Sequence, residues 1–308
     1  MNHQKKSLLK LFSDERKAVM RVIRLLTAAG IILIIIMLLI SCGAEGPAQE
    51  TDDTGKQQSQ AIDDQNEEEP EEDIEPESDA DKEETTEMNT DNIKINTQSS
   101  IKIEGSKTIY IDPYKRTKAA HDADIIFITH AHYDHYDEPS LRNVAKEDSV
   151  IVCPESILAD VTAMNVRGLN GDMDEGIISM NAGDTAEAAP GITVEAVPAY
   201  NINKNFHPKA NGWLGYIITM DGVRYYAAGD TDALPELEDV ECDIAFVPVG
   251  GTYTATAAES ARLVNRIRPE IAIPIHYGTI VGRAADADKF GDALDDGIRM
   301  VKKVEDAR

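Results

Sequence analysis

Residues 129–137 read THAHYDHYD and follow the apolar run IIFI. Three of the chain's seven histidines stand here beside two aspartates. Imidazole nitrogens and carboxylate oxygens at this density are donors for a divalent cation such as Zn²⁺, Mn²⁺ or Fe²⁺. No cysteine joins them, and Cys42, Cys153 and Cys242 form no C-x-x-C pair, so a closed structural zinc site is not expected. Cys153 and Cys242 lie in or beside apolar runs and read as buried free thiols. Strand alternation makes His130 and His132 point the same way, so both are expected to face one ion. Asp134 and His135, past the bend, reach a second.

The elements around the motif must position it. ADIIFITH reads as a strand covered on both faces. Upstream, NIKINTQSSIKIEGSKTIYIDPY alternates apolar and polar residues and turns at Glu104-Gly105-Ser106, the pattern of a hairpin. Downstream come a helix around EPSLRNVA, a strand SVIVCP and a helix ESILADVTAMN. Strands GIISM, GITVEAVPA, GWLGYIITMD and VRYYAAGD follow, then IAFVPVG, a helix TAAESARLVNRI and EIAIPIHYG. Thr256 and Glu259 form a capping box at the start of that helix. Two mixed sheets with helices outside, an α/β sandwich of layers α-β-β-α, are expected. Three of these strands end in Asp112, Asp230 and His276. Each alone could be a simple cap; together they read as convergence on one cleft. His121 reads as a surface or turn residue, and Trp213 as packing or a cleft wall. Tyr253 and Thr254 are candidates for the substrate side. Tyr277 is a candidate hydrogen-bond donor or a packing residue.

H-x-H-x-D-H at 130–135, the strand-end GDT and the late strand-end histidine resemble the metallo-β-lactamase fold hydrolases over residues 93–290. GSKTIYIDPY, VPAYN…FHPK, AAGDTD, PVGGTYT and IPIHYG are similar to the lactonase-like branch, which itself resembles phospholipase D-type and ribonuclease Z-type enzymes. The resemblance implies two divalent ions, Zn²⁺ first and Mn²⁺ or Fe²⁺ as alternatives. One ion would take His130, His132 and a third histidine; the other would take Asp134, His135 and His276; Asp230 would bridge them. Relatives often carry Pro-Ala-x-His where this chain has Pro198-Ala199-Tyr200-Asn201. The histidine nearby is His207, in NKNFHPKANGW, so His207 is the expected third ligand, with Asn201 or water as the alternative. Gln98 stands where some relatives carry a histidine. The implied reaction is attack by a hydroxide shared between the ions on a lactone, ester or phosphoester. Asp134 would orient it or accept a proton, and Asp112 would hold the histidine loop. A lipid-directed phosphodiesterase and a non-catalytic envelope metal-binding protein are the competing readings.

The chain has 308 residues and a formal net charge of −26. Residues 44–91 carry 20 acidic and 2 basic side chains and few apolar ones, the composition of a disordered tether over 43–91. The remainder, a hydrolase domain over 92–308, is moderately acidic, which disfavours nucleic acid as a partner. Small-molecule or lipid-derived substrates are expected instead; the oligomeric state is not legible. The first 42 residues carry seven basic and two acidic side chains and an almost wholly apolar run, LLTAAGIILIIIMLLI, ending at Ser41-Cys42. This arrangement resembles a bacterial lipoprotein signal peptide, with an uncleaved membrane anchor as the alternative. Either way the domain is expected on the extracytoplasmic face of the cell membrane. Cys42→Ala should abolish lipid labelling and block processing; an unchanged mature mass would favour the anchor.

Overall fold

The structure is a computed structural model and describes residues 88–166 and 176–305. The expected signal segment with Cys42, and residues 43–87 of the acidic tether, lie outside the described residues. Among the described residues, no helix is long and apolar enough to cross a membrane.

The first sheet has the order β1 (Ile93–Ile95), β2 (Ile101–Glu104), β3 (Thr108–Ile111), β4 (Ala123–Phe127), β5 (Ala145–Pro154), β6 (Ile177–Met180). Its first three strands pair antiparallel, and β3 to β6 run parallel. The second sheet contains β7 (Thr185–Ala189), β8 (Ile192–Pro198), β9 (Leu214–Met220), β10 (Val223–Ala227), β11 (Ile244–Pro248), β12 (Ile271–Ile275) and β13 (Arg299–Met300), in that spatial order. There β7 to β10 meander antiparallel, and β10 to β13 are parallel.

Strand alternation builds the layers. Ile125 and Phe127 of β4 pack between the sheets with Tyr216, Ile218, Phe246 and Ile273. Their neighbours Ile126 and Ile128 face outward, under Leu141 and Val144 of α1 (Glu138–Val144) and Val161 of α2 (Leu158–Met164). On the other side, Ala245, Val247 and Ala272 lie under Ala261 and Val264 of α3 (Ala257–Ile267) and Phe290 of α4 (Ala284–Asp292). Strands buried on both faces read as continuous apolar runs, which is why IIFI has no polar alternation. Each fully buried Ile or Phe contributes roughly 1.5–3 kcal/mol. The layers are therefore α-β-β-α, the metallo-β-lactamase fold.

Two details position the site. The capping box at α3 is formed: Thr256 N–H donates to Glu259 Oε2 at 2.8 Å, and Glu259 N–H to Thr256 Oγ1 at 3.3 Å. It fixes the start of α3 directly after the Gly250–Ala255 loop. Gly250 lies against the β12 end so closely that an added Cβ would stand 2.4 Å from the carbonyl oxygen of His276. Any side chain there must push backbone away from backbone. Gly250→Ala should cost about 1–3 kcal/mol in urea unfolding. An unchanged midpoint would mean that this approach is not required.

Candidate metal centre

The four residues of the histidine motif leave β4 together, but not by strand alternation. β4 ends at Phe127, and residues 128–137 form a loop. The expectation that the pleat aligns His130 and His132 is therefore corrected. His130 and His132 still share one donor group, but from a loop, which closes in a tight turn after His132 where His135 N–H and Tyr136 N–H both donate to its carbonyl, at 3.0 and 2.8 Å. His130 Nε2 and His132 Nδ1 end 3.1 Å apart. Asp137, the second aspartate of the stretch, caps α1 by accepting from Ser140 N–H at 3.1 Å.

Asp112 anchors this loop. It is buried at the end of β3 with φ +46°. Its Oδ1 accepts from Thr129 N–H at 2.8 Å, and its Oδ2 from Thr129 Oγ1 at 2.6 Å. His135 Nδ1 lies 2.7 Å from the same Oδ2. That bond takes the Nδ1 side and leaves His135 Nε2 for the cleft, so Asp112 selects the tautomer.

Asp230 arrives from the end of β10 through Gly229, which has φ +66°. An added Cβ at Gly229 would stand 3.0 Å from the Leu214 carbonyl oxygen and 3.2 Å from Thr129 Cβ, so glycine lets β10 approach the histidine loop. Leu214 N–H donates to Thr129 O at 3.1 Å and ties the two sheets there. His276 ends β12 with φ +56°, and its N–H donates to the Gln98 carbonyl at 3.2 Å. Gln98 is fully buried, and its amide nitrogen donates to Thr279 Oγ1.

His207 comes from the loop between β8 and β9 and is buried, with φ +55°. Asn201 holds the loop closed. Its backbone N–H donates to His207 O at 2.8 Å, and its Nδ2 to Phe206 O at 2.8 Å and Tyr253 O at 2.6 Å. His207 Nδ1 lies 3.1 Å from Tyr253 O, so Nε2 faces the cleft. Of the two sequence candidates, Asn201 is the clamp and His207 is the group delivered.

The seven side chains form two sets around Asp230. His130, His132, His207 and Asp230 offer donor atoms within 4.8 Å of one another, as do Asp134, His135 and His276. Asp230 Oδ2 stands 3.1 Å from His207 Nε2, 3.1 Å from His276 Nε2 and 3.9 Å from His130 Nε2. Asp230 Oδ1 stands 3.3 Å from His135 Nε2. Asp134 Oδ2 is 3.6 Å from His135 Nε2 and 3.4 Å from His276 Nε2. Ligand atoms about 2.0–2.1 Å from a tetrahedral ion sit about 3.3 Å from each other. Hydrogen bonding does not account for these approaches. The Nε2 atoms of His135, His207 and His276, and Asp230 Oδ1, are buried without a hydrogen-bond partner. They are near oxygens but not aligned with them. Buried polar atoms left in this way are costly, and a bound cation would satisfy them. The donor set fits divalent metal.

Charge agrees with this reading. Burial pushes Asp230 up, but His276 and His135 outweigh it and hold the carboxyl well below its ordinary range. Burial lowers His130 and His132, keeping these imidazoles neutral. Burial also opposes charge on His276, yet Asp230 and Asp134 raise it to about 9. Burial likewise opposes charge on His135, but Asp230 and Asp112 raise it well above the usual histidine range. Burial raises Asp112 as well, against the pull of His135 and Thr129, whose bonds to it favour the carboxylate.

Other sequence candidates are placed differently. Trp213 packs its ring 4.9 Å from His130 and 4.8 Å from His132, a wall of the site. Tyr253 lines the cleft, whereas Thr254 is buried and does not. Tyr277 is buried among the α3 and α4 contacts and packs. His121 is exposed, with Nδ1 2.8 Å from Ala145 O. Cys153 is buried and Cys242 half-buried; burial pushes both thiols up to about 12. Tyr133, Phe206 and Ile280 also line the cleft and were not singled out by sequence.

The fold and this site define a class, and comparisons with known proteins agree with it. Residues 91–277 match the family model of the β-lactamase superfamily domain, so the chain belongs to that superfamily. Within it, the chain belongs to the UPF0173 metal-dependent hydrolase family. It is 30% identical over 215 residues to a member from Thermococcus onnurineus (strain NA1), covering 66% of this chain and 92% of that protein. A member from Pyrococcus furiosus is 31% identical over 212 residues, covering 65% of this chain and 90% of the relative. A crystal structure of a protein from Parabacteroides distasonis ATCC 8503 superposes with a TM-score of 0.57 at 31% identity. That superposition covers 70% of this chain and 93% of the other.

Two tests follow from this geometry. His207→Ala should lower metal stoichiometry with the fold retained, whereas Asn201→Ala should weaken affinity without removing a donor. Full occupancy in the first and loss in the second would reverse the two roles. Protons and metal compete for His276, so metal affinity should rise with pH up to about 9. In the metal-free protein the sign is opposite. The raised His276 value stabilises the fold fully below about 6.5, and this contribution disappears as pH rises to about 9. Urea melts with and without metal across that range check both.

Proposed function

We propose that this protein is a dinuclear metal-dependent hydrolase of a lactone, ester or phosphoester, held on the outer face of the cell membrane through Cys42. The observation that carries the catalytic reading is the set of buried, unpartnered donors spaced around Asp230 at the floor of a cavity. His130, His132 and His207 would hold one ion and Asp134, His135 and His276 the other, with Asp230 between them. Zn²⁺ suits these nitrogen-rich donors best, and Mn²⁺ or Fe²⁺ are alternatives. Bound ions would supply a Lewis acid and a water acidic enough to ionise near neutral pH. The family's designation as metal-dependent hydrolases supports the reaction class, and the basic, apolar and Ser41-Cys42 sequence supports the attachment.

The chain's own side chains supply the rest. Asp134 lines the cavity. Burial raises its carboxyl, but the contacts with His276 and His135 prevail and keep it ionised, able to orient water or take up a proton. Asp112 keeps the His135 proton on Nδ1 and so holds the ring in register. Trp213 closes one side of the histidines against solvent.

Stripping metal should abolish hydrolysis, and adding back Zn²⁺, Mn²⁺ or Fe²⁺ separately should restore it. Asp134→Asn should lower kcat by about 10²-fold or more. A fully metal-loaded chain inactive on lactones, esters and phosphodiesters would contradict the reading.

A further inference from the structure

Among the described residues, the large apolar side chains left exposed are Tyr133 at 63%, Ile202 at 55% and Phe206 at 47%. All three lie on loops that deliver candidate metal donors. Tyr133 stands between His132 and Asp134, and Ile202 and Phe206 precede His207. Tyr133 and Phe206, with Tyr253 and Ile280, line a cavity of about 230 Å³. Its remaining lining residues are His132, Asp134, His207, Asp230 and His276. Phe206 and Tyr253 meet edge to face with ring centroids 4.6 Å apart, and Tyr133 leans on Tyr114 at 6.0 Å. The walls are thus partly pre-formed.

Among the described residues, no lysine or arginine lines this cavity. The two cations of the His207 loop are engaged elsewhere, Lys204 with Asp232 and Lys209 with Glu236. A carboxylate or phosphate monoester carried away from the reacting centre would find no partner at the wall. Entering an acidic domain, it would lose hydration without compensation. An apolar group would cover Tyr133 and Phe206 from water instead. A cavity of about 150 Å³ holds a benzene-sized molecule, so this one has room for one ring and a few further atoms.

We propose that the cavity selects an uncharged ester or lactone with an aryl or short alkyl group, seated against Tyr133, Phe206, Tyr253 and Ile280. This rests on the hydrolase reading and names its substrate class. In the reaction water adds across the acyl carbon–oxygen bond. Its hydroxyl goes to the acyl carbon, its remaining proton to the leaving oxygen, and no oxidant or reductant is needed.

The test compares phenyl acetate with 4-acetoxybenzoate on the metal-loaded full-length chain. They share an acyl group and differ by one carboxylate. We expect kcat/KM for the neutral ester to be at least about tenfold higher. Phe206→Ala or Tyr133→Ala should erase most of that preference, chiefly by raising KM for phenyl acetate. Binding is read separately from turnover with acetanilide and 4-acetamidobenzoate, using fluorescence of Trp213, the chain's one tryptophan. If neither ester turns over but acetanilide still binds preferentially, and Phe206→Ala abolishes this, the hydrolase reading falls and the selectivity of the cavity stands. Equal or tighter binding of the carboxylated ligand, or no binding of either, overturns the inference. So does sedimentation with phosphatidylcholine vesicles that Phe206→Ala abolishes, without discrimination between the small ligands. That result would make the rim a membrane contact.

Discussion

Everything near the cleft is arranged around one buried carboxylate. Asp230 is 3% exposed and has His130, His135, His207 and His276 within 3.9 Å of its oxygens. A carboxylate taken from water at such a site is costly unless positive charge faces it. Protonated His276 and His135 can supply that charge in the metal-free protein. Divalent ions would supply more of it and would also engage the nitrogens that no hydrogen bond satisfies. Gly229, the Leu214–Thr129 link between the sheets and the Asp112 anchor all bring backbone close to this carboxylate.

The site accepts backbone strain to reach this arrangement. Gln98, Asp112, His207 and His276 all have φ between +46° and +56°. Non-glycine residues seldom adopt this region, and such conformations concentrate at functional sites. Each lies where a chain must turn immediately after a buried strand or within a clamped loop. Rigid strands supply the register and the turned residues aim the side chains inward. The cavity wall is built on the same loops, so the side chains that would choose a substrate move with those that would hold the metal.

Much of this was legible in the sequence. The β4 run is continuous because both its faces are buried, and the H-x-H-x-D-H spacing, Asp230 and His276 follow strand ends that apolar runs mark. The agreement failed where tertiary contacts override local pattern. His130 and His132 come together from a loop rather than from a strand, because β4 stops at Phe127. β7, with the sequence TAEAA, lacks the β-branched and aromatic pattern of a strand and is held by its pairing with β8. α4 and β13 carried too short an apolar period to be seen. The place of His207 depended on Asn201 and the Tyr253 carbonyl, a contact across more than forty residues that no spacing reveals.

The central claim is that Asp230 lies between two divalent ions. The most direct measurement is anomalous scattering at the zinc edge from crystals of the zinc-loaded protein. The account predicts two peaks flanking Asp230, the first within reach of His130, His132 and His207 and the second of Asp134, His135 and His276. A single peak away from Asp230, or zinc held elsewhere on the chain with this cleft empty, would contradict it.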